Sequence, residues 1–513
     1  MASSASRREQ PLKPMSAKYE SQSRQDAFCV RLKSAIRGLN IGHVLILALL
    51  LRALLPILGY LRTRDIAIFY DPDTDTYLTP AKELIVYHRF FSAGTPEIVR
   101  TPGYPLLLTL GLSLQHLEIV TILAQIIISC FTVYLVYVIT QLLFGRERVS
   151  IIAAVLYALE PLSILYTSQL LSETLFTALG TVWLYFGLQY LNSYRLRNLV
   201  VSGVALAASV YVRPVAYFLP VLIAGGLGIW ALVDGRKSMS RLIEHAAIFL
   251  VVSMGLILPW QLRNWSATGY SGFSGASCIN MYFDLETSVL AVKEHVPFFE
   301  MRHRLGHNAI MQDQFGYINE SAYLLRHPEQ KSWTLAQRLN YMCQDGRRTV
   351  SDNPLTYARI HLTGVARTMF DSGATSFLMF FKLYSRGGGL FAGLQDRGIV
   401  RTMGAIMMKH PLVFWSNVLL LLVELPYWIC AGVVLFSRQL LGKASILMAL
   451  FVAIYYLVIS GGVDALGRYR HPAMPIISAL AGYGLFKLSQ YQHARCALSS
   501  RATTRLATRN KPG

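Results

Sequence analysis

Five short stretches carry the side chains best suited to act on a substrate. YDPDTDTY (70–77) sets Asp71, Asp73 and Asp75 at alternate positions and closes on Tyr77. VRTPGYP (99–105) supplies Arg100, LSET (171–174) supplies Glu173, and YVRP (211–214) supplies Arg213. GRYRHP (467–472) places Arg468 and Arg470 on either side of Tyr469. A carboxylate beside a hydroxyl or amine can act as its general base. A guanidinium grips a phosphate through two parallel hydrogen bonds. Base plus phosphate grip is the equipment of group transfer from a phosphate-linked donor. There is no GxxxxGK[ST] loop or other nucleotide fingerprint, so ATP or a nucleotide sugar is not the direct donor.

Each residue also has a bland use. Asp73 suits a helix N-terminus, where the dipole favours negative charge. Asp75 can cap that helix or touch an acceptor, and Asp71 reads as solvated loop. Glu173 follows Ser172, a good N-cap, and Glu160 precedes Pro161 at a helix end. Arg100 can pair with a loop carboxylate, while Arg213, Arg263, Arg468 and Arg470 can reach lipid headgroups. His471 and the aromatics Tyr77, Tyr104 and Trp260 suit packing. A calcium loop starting at Asp71 needs Gly at its sixth position and Glu at its twelfth; the sequence has Thr76 and Lys82. No metal or other cofactor is expected, with a looser divalent site of Asp73, Asp75 and Glu173 as the lesser alternative. The six cysteines form no CxxC or Cys/His cluster, which excludes a zinc site. Cys278 and Cys343 share the largest polar segment and can pair there if it faces an oxidising compartment.

Long apolar elements must position these residues. The 513-residue chain is 53% hydrophobic and 15% charged, against about 25% charge in a soluble domain. The mean hydropathy is +0.41. Runs long enough to span a bilayer lie near 41–61, 118–143, 149–171, 172–192, 198–213, 214–233, 245–262, 411–436, 443–460 and 472–488. The formal charge of +20 reflects loops and tails rich in Lys and Arg, and no nucleic-acid motif accompanies it.

Charge sets the orientation. With the basic tail 1–40 in the cytosol and 102–116 not spanning, the short basic loops at 145–148, 193–198, 234–241 and 437–443 all face the cytosol. The basic tail 489–513 does too. If 102–116 spans, every one of these loops flips. The expectation is therefore an all-α polytopic membrane protein with about ten transmembrane helices and both termini cytosolic. A first outer loop covers 62–117 within the core 41–262, a helix-containing second outer region covers 263–410, and the last helices cover 411–488. A helix is expected from Thr79 and Pro80, with Leu84, Tyr87, His88 and Phe91 on one face. Asp71, Asp73, Asp75, Arg100, Glu160, Glu173, Arg213, Arg263, Asn264, Asp464, Arg468, Arg470 and His471 all fall on the outer side. Ionisable groups at that depth are functional candidates by default.

DTDTYLTPA, with an Asp followed four residues later by Tyr77 and eight later by Ala81, resembles the first outer loop of GT-C glycosyltransferases. That superfamily includes protein O-mannosyltransferases and lipid A aminoarabinose transferases. VRTPGYPLLL (99–108), LSETLF (171–176), VRP (212–214), PWQLRN (259–264) and RYRHPAMP (468–475) follow in the family's order. The resemblance implies a GT-C-like fold and inverting transfer of a sugar from a polyprenyl-phosphate donor. The family's spacing falls on Asp73 as base or acceptor-orienting residue, beside Asp75. It implies Tyr77, Arg100, Glu173, Arg213, Arg468 and Arg470 for donor phosphate and substrate. RTPGYP matches the bacterial branch, which implies a bacterial inner membrane. The implied partners are a polyprenyl-phosphate sugar, membrane lipids and a glycan, lipid or protein acceptor; nucleic acid is not among them. The rival functions are a lipid or solute transporter or flippase and a non-catalytic membrane scaffold. A transporter calls for mid-span ionisable residues and repeated broken helices. A scaffold has no need of the arginine–carboxylate set.

Overall fold

The computed structural model describes residues 38–234, 239–307, 320–384, 404, 406–463 and 465–509. The basic residues Arg7 to Arg37, most of the 234–241 loop, Asp464 and Lys511 lie outside the described residues or among their undescribed side chains, as do the tail residues Arg495, Arg501, Arg505 and Arg509.

Apart from 149–171, the expected spans lie on helix. Ile41–Thr63, Leu117–Phe144, Met239–Thr268 and Pro411–Phe436 are each long and apolar enough to cross a bilayer. The remaining ones are Glu147–Leu159, Glu173–Ser193, Leu196–Val212, Leu219–Asp234, Ala444–Ile459 and Met474–Arg509. The chain is an all-α, multi-pass membrane protein. Among the described residues the strands amount to one hairpin, Phe91–Ser92 with Thr95–Pro96. The helix Gly103–Ser113 has 11 residues. At 1.5 Å per residue it is about 16 Å long, half of a hydrocarbon core.

Two expectations are corrected. The run 149–171 is not one helix, because it stops at Leu159. Pro161 lacks an N–H and pushes Glu160 into extended backbone. The buried Glu160 carboxylate then accepts from the N–H groups of Leu162 and Ser163. Arg52, inside the first span and fully buried, donates to the carbonyls of Ala158 (3.0 Å) and Tyr157 (3.4 Å) at the break, and to the Ser129 and Ser163 hydroxyls. The chain from 160 to 172 therefore stays buried yet largely unwound. Its Leu170 N–H donates to the Phe69 carbonyl at 2.8 Å, and its Leu170 carbonyl accepts from Thr74 Oγ1 at 3.0 Å.

The helix of the first outer loop begins at Thr74, not Thr79, and ends at Tyr87. An Asp71–Thr74 turn nucleates it: the Asp71 N–H donates to Thr74 Oγ1 and the Thr74 N–H to the Asp71 carbonyl, each at 2.9 Å. Pro80 sits in its interior, and the Thr76 and Thr79 hydroxyls donate to the Asp73 and Asp75 carbonyls. Phe91 belongs to the hairpin and not to the helix face.

The region expected as the second outer loop forms a helical lobe with its own core of Ile98, Tyr270, Cys278, Tyr282, Phe283, Leu305, Tyr323, Leu339 and Met342. Cys278 and Cys343 are disulfide-bonded within it. The lobe is stitched to the first loop: the Gly275 N–H donates to the Ile98 carbonyl at 2.8 Å and Ser274 Oγ to the Val99 carbonyl at 2.5 Å. Glu286 is buried in the lobe, and burial with nearby Asp345 pushes its carboxyl up to about 8.

Two outcomes are expected. A cysteine at Leu114, which is 62% exposed, should react with an impermeant thiol reagent added outside and not with reagent confined to the cytosol. Folded Glu286 holds its proton to higher pH than the unfolded chain. Its contribution is full below the ordinary carboxyl range and fades as pH rises through about 8. Glu286→Gln should therefore flatten the thermal-stability profile between pH 5 and 9 (about these limits, set by the two titrations) and melt higher than the parent at the alkaline end.

Candidate functional site

Five separate pieces of chain meet at one end of the bundle. The 74–87 helix brings Asp73 at its N-cap, with Asp71 just before it. The Asp73 side chain does not cap the helix. Arg100 comes from the segment after the hairpin, whose backbone is gripped by the buried Glu97 carboxylate through the N–H groups of Val99 (2.6 Å) and Arg100 (2.8 Å). Burial pushes the Glu97 carboxyl above its ordinary value, against the pull of those N–H groups. Glu173 opens the Glu173–Ser193 helix just past the unwound stretch, and Arg213 closes Leu196–Val212. Arg468 sits in the 3₁₀ turn Gly467–Ala473 between the last two helices of the bundle.

These residues form one alternating chain of charge. Arg100 Nη2 donates to Asp73 Oδ1 at 2.8 Å, and Arg468 Nη2 donates to Asp73 Oδ2 at 2.7 Å. Arg468 Nε continues to Glu173 Oε1, and Arg213 Nη1 reaches the same oxygen at 2.5 Å. Arg468 Nη1 lies 3.6 Å from Asp71 Oδ1. Arg100 also lies over the Tyr77 ring and donates to its hydroxyl at 3.3 Å. The Tyr77 hydroxyl in turn shares a hydrogen bond with Ser172 Oγ at 3.2 Å, so Ser172 is spent on Tyr77 and does not cap. Burial alone would lower the Arg468 guanidinium. Glu173, Asp73 and Asp71 outweigh it and hold Arg468 well above its ordinary value.

The charges border a cleft of about 810 Å³. Asp71, Asp73, Asp75, Arg100, Arg213 and Arg468 line it; Glu173, 1% exposed, lies beneath and anchors two of the arginines. Asp75 is exposed to the cleft and takes part in no ion pair among the described residues. Of the alternative divalent set Asp73, Asp75 and Glu173, Asp73 and Glu173 both end on Arg468. Among the described residues no three His, Cys, Asp or Glu side chains group to hold a metal ion.

Residues 99–261 match the family model described as Dolichyl-phosphate-mannose-protein mannosyltransferase. A comparison with curated protein sequences finds no match. Among solved structures it is similar to the oligosaccharyltransferase AglB from Archaeoglobus fulgidus in complex with an inhibitory peptide and a dolichol-phosphate, at 14% identity and TM-score 0.49. The apo form of an Archaeoglobus fulgidus oligosaccharyltransferase is similar at 14% identity and TM-score 0.48. Each match covers 90% of this chain and 52% of the other, so the chain spans about half the length of these structures. The matched segment contains Arg100, Glu173 and Arg213; Asp73 precedes it and Arg468 follows it by some 200 residues.

Other expected residues lie elsewhere. Arg470 is fully buried away from the cleft. It pairs with Glu424 of the Pro411–Gly432 helix and donates to the carbonyls of Thr368 and Asp371. The reason is geometric: residues two apart in a 3₁₀ turn point about 120° from each other, so Arg468 and Arg470 cannot share a face. Glu160 caps the short helix Pro161–Leu165. Arg263 donates to the carbonyls of Glu97 (2.6 Å) and Phe90 (2.7 Å), and Asn264 to those of Gly272 and Phe273, which fixes the hairpin and the entry to the lobe. His471 is buried and shares a 2.7 Å hydrogen bond with Thr177. Tyr104 packs edge-on against Tyr77, and Trp260 against Phe90.

Sequence reasoning missed the far wall of the cleft, where Asn280, Asp284, Arg302, His307, Tyr357 and His361 line it from the outer lobe. No motif marks them. The polar types inside an otherwise apolar-flanked region were the one available signal.

Gly103 explains the glycine of RTPGYP. A Cβ there would stand 2.7 Å from the Tyr211 carbonyl, so only glycine lets the Arg100 segment lie against the Leu196–Val212 helix. Arg470→Met strands the Glu424 carboxylate and should lower stability by about 3–5 kcal/mol. Adding Glu424→Leu should recover most of that loss, as read by thermal unfolding of the purified protein.

Proposed function

We propose that this protein is a membrane glycosyltransferase that moves a sugar from a polyprenyl-phosphate donor to an acceptor on the non-cytosolic face, with inversion at the anomeric carbon. The observation that carries the reading is the meeting of Arg100, Arg213 and Arg468 around Asp73 and Glu173, from loops nearly 400 residues apart, in a chain with the matched segment. In this reading the membrane is the bacterial inner membrane and both termini are cytosolic. The disulfide Cys278–Cys343 favours an oxidising compartment for the lobe.

In the structure both oxygens of Asp73 are taken by arginines. A donor phosphate offers the same guanidinium groups stronger, bidentate partners. Its arrival draws Arg100 and Arg468 toward the phosphate and frees Asp73 to face the acceptor. The acceptor hydroxyl or amine then gives its proton to the Asp73 carboxylate as its oxygen or nitrogen attacks the anomeric carbon. The bond from that carbon to the phosphate oxygen breaks, and its electron pair stays on the phosphate. Glu173 keeps Arg213 and Arg468 ionised and aimed throughout. No cofactor is required for this sequence of events.

A second reading assigns the base to Asp75. It lines the same cleft, is exposed, and has no ion pair among the described residues. Two variants separate the readings in a transfer assay with a radiolabelled polyprenyl-phosphate sugar. Asp73→Asn should cut turnover by about 10²–10⁴-fold while the protein melts normally. Asp75→Asn should change it by less than about tenfold. The reverse order moves the base to Asp75, and a wild-type protein that binds polyprenyl phosphate but transfers no sugar sinks the enzyme reading.

A further inference from the structure

The cleft has two walls of different chemistry. The bundle wall carries the alternating arginines and carboxylates. The lobe wall carries Asn280, Asp284, Arg302, His307, Tyr357 and His361. Asp284 and Arg302 are paired there at 3.0 Å. Burial, with Arg302 adding to it, lowers the His307 imidazole to about 3, so it stands neutral. His361 is fixed between the Tyr357 hydroxyl (3.1 Å) and the Val458 carbonyl (2.9 Å). Beside the apolar Ala276, Ile279, Met281 and Leu285, this wall therefore offers planar hydrogen-bonding groups and an aromatic ring, with one cation and one anion paired among the described residues.

Asp284 lies on a π-helical stretch, Met281–Glu286, set between the helices Ala276–Asn280 and Thr287–Lys293. Such stretches are rare and often mark functional positions. The wall is held rigidly to the bundle. The helix Pro354–Phe370 touches the Gly461–Gly462 turn so closely that a Cβ on Gly364 would meet the Gly462 N at 2.1 Å. Arg367 of that helix donates to the Val463 carbonyl at 2.7 Å, five residues before Arg468.

We propose that the lobe wall is the acceptor subsite and that its ligand is a neutral, polyhydroxylated glycan. This inference rests on the proposed glycosyl transfer for its name of acceptor. Paired, net-neutral planar groups beside an aromatic ring match vicinal hydroxyls and a sugar face. An anionic lipid headgroup finds no surplus cation on this wall among the described residues. An extended peptide finds no free strand edge, since the lobe wall is built of helices among the described residues.

The test uses the full chain in lipid nanodiscs, with no donor present, and reads saturable binding of cellotriose, mannotriose and arabinotriose by ligand-observed NMR. Polyprenyl monophosphate binding is measured in parallel. At least one trisaccharide should bind, while a Ser/Thr-containing peptide should not. Asp284→Asn and the charge-keeping Arg302→Lys should each weaken that binding tenfold or more, leaving polyprenyl phosphate affinity within twofold. Arg468→Gln should do the opposite. Failure of every trisaccharide to bind overturns the subsite, as does glycan binding that neither lobe variant changes or a peptide bound in their place. Loss of the phosphate arm alone counts against the transfer reaction and leaves glycan binding to judge the wall.

Discussion

Glu173 is a carboxylate with almost no access to water, and the rest of the site is arranged to keep it charged. A lone buried carboxylate costs several kcal/mol, and removing one partner of a buried ion pair leaves that cost unpaid by contacts. Two guanidinium groups converge on its one oxygen Oε1. To deliver Arg213, the chain must turn at the end of Leu196–Val212, where Pro214 forbids further helix. To deliver Arg468, the connection between the last two helices must fold inward as a 3₁₀ turn. Arg468 then needs further anions, and Asp73 and Asp71 complete the chain. Each partner obliges the next.

Much of this was readable from residue types. Apolar length located the helices, because a run that must satisfy its own backbone in lipid can do little else. The five polar stretches were visible because ionisable groups stand out against such runs. Arg100 and Arg468 meet Asp73, and Arg468 links it to Glu173 and Arg213. What escaped was local geometry that depends on neighbours. The break at Leu159 needs Arg52 from another helix to receive the freed carbonyls. The earlier start of the 74–87 helix needs Thr74 to bond back to Asp71 and across to Leu170. Arg470 looked equivalent to Arg468 in sequence, yet the 3₁₀ turn sends it to Glu424, a residue that passes unremarked inside an apolar run.

The outer lobe presents the opposite case. Its helices, disulfide and aromatic core form a small soluble-like unit, and its cleft residues are scattered between 280 and 361 with no common spacing. Their meeting is a property of how the lobe docks. Ser274 and Gly275 fasten it beside Arg100, and Arg367 fastens it beside Arg468. The two fastening points lie next to the two arginines that hold Asp73, so the position of the lobe and the position of the carboxylate are fixed together.

At rest Arg100, Arg213 and Arg468 are all engaged by Asp71, Asp73 and Glu173, with Asp75 beside them in the cleft. On the proposed reaction this pairing bears on turnover. The donor is a phosphodiester with a single negative charge. The lipid phosphate left behind is a monoester carrying about −1.5 to −2. On that reaction the arginines gain more from the spent carrier than from the loaded one. Asp73, Asp71 and Glu173 are the groups that reclaim the guanidiniums as it goes. The same carboxylates that keep the empty site folded thus act as the counterweight that clears it.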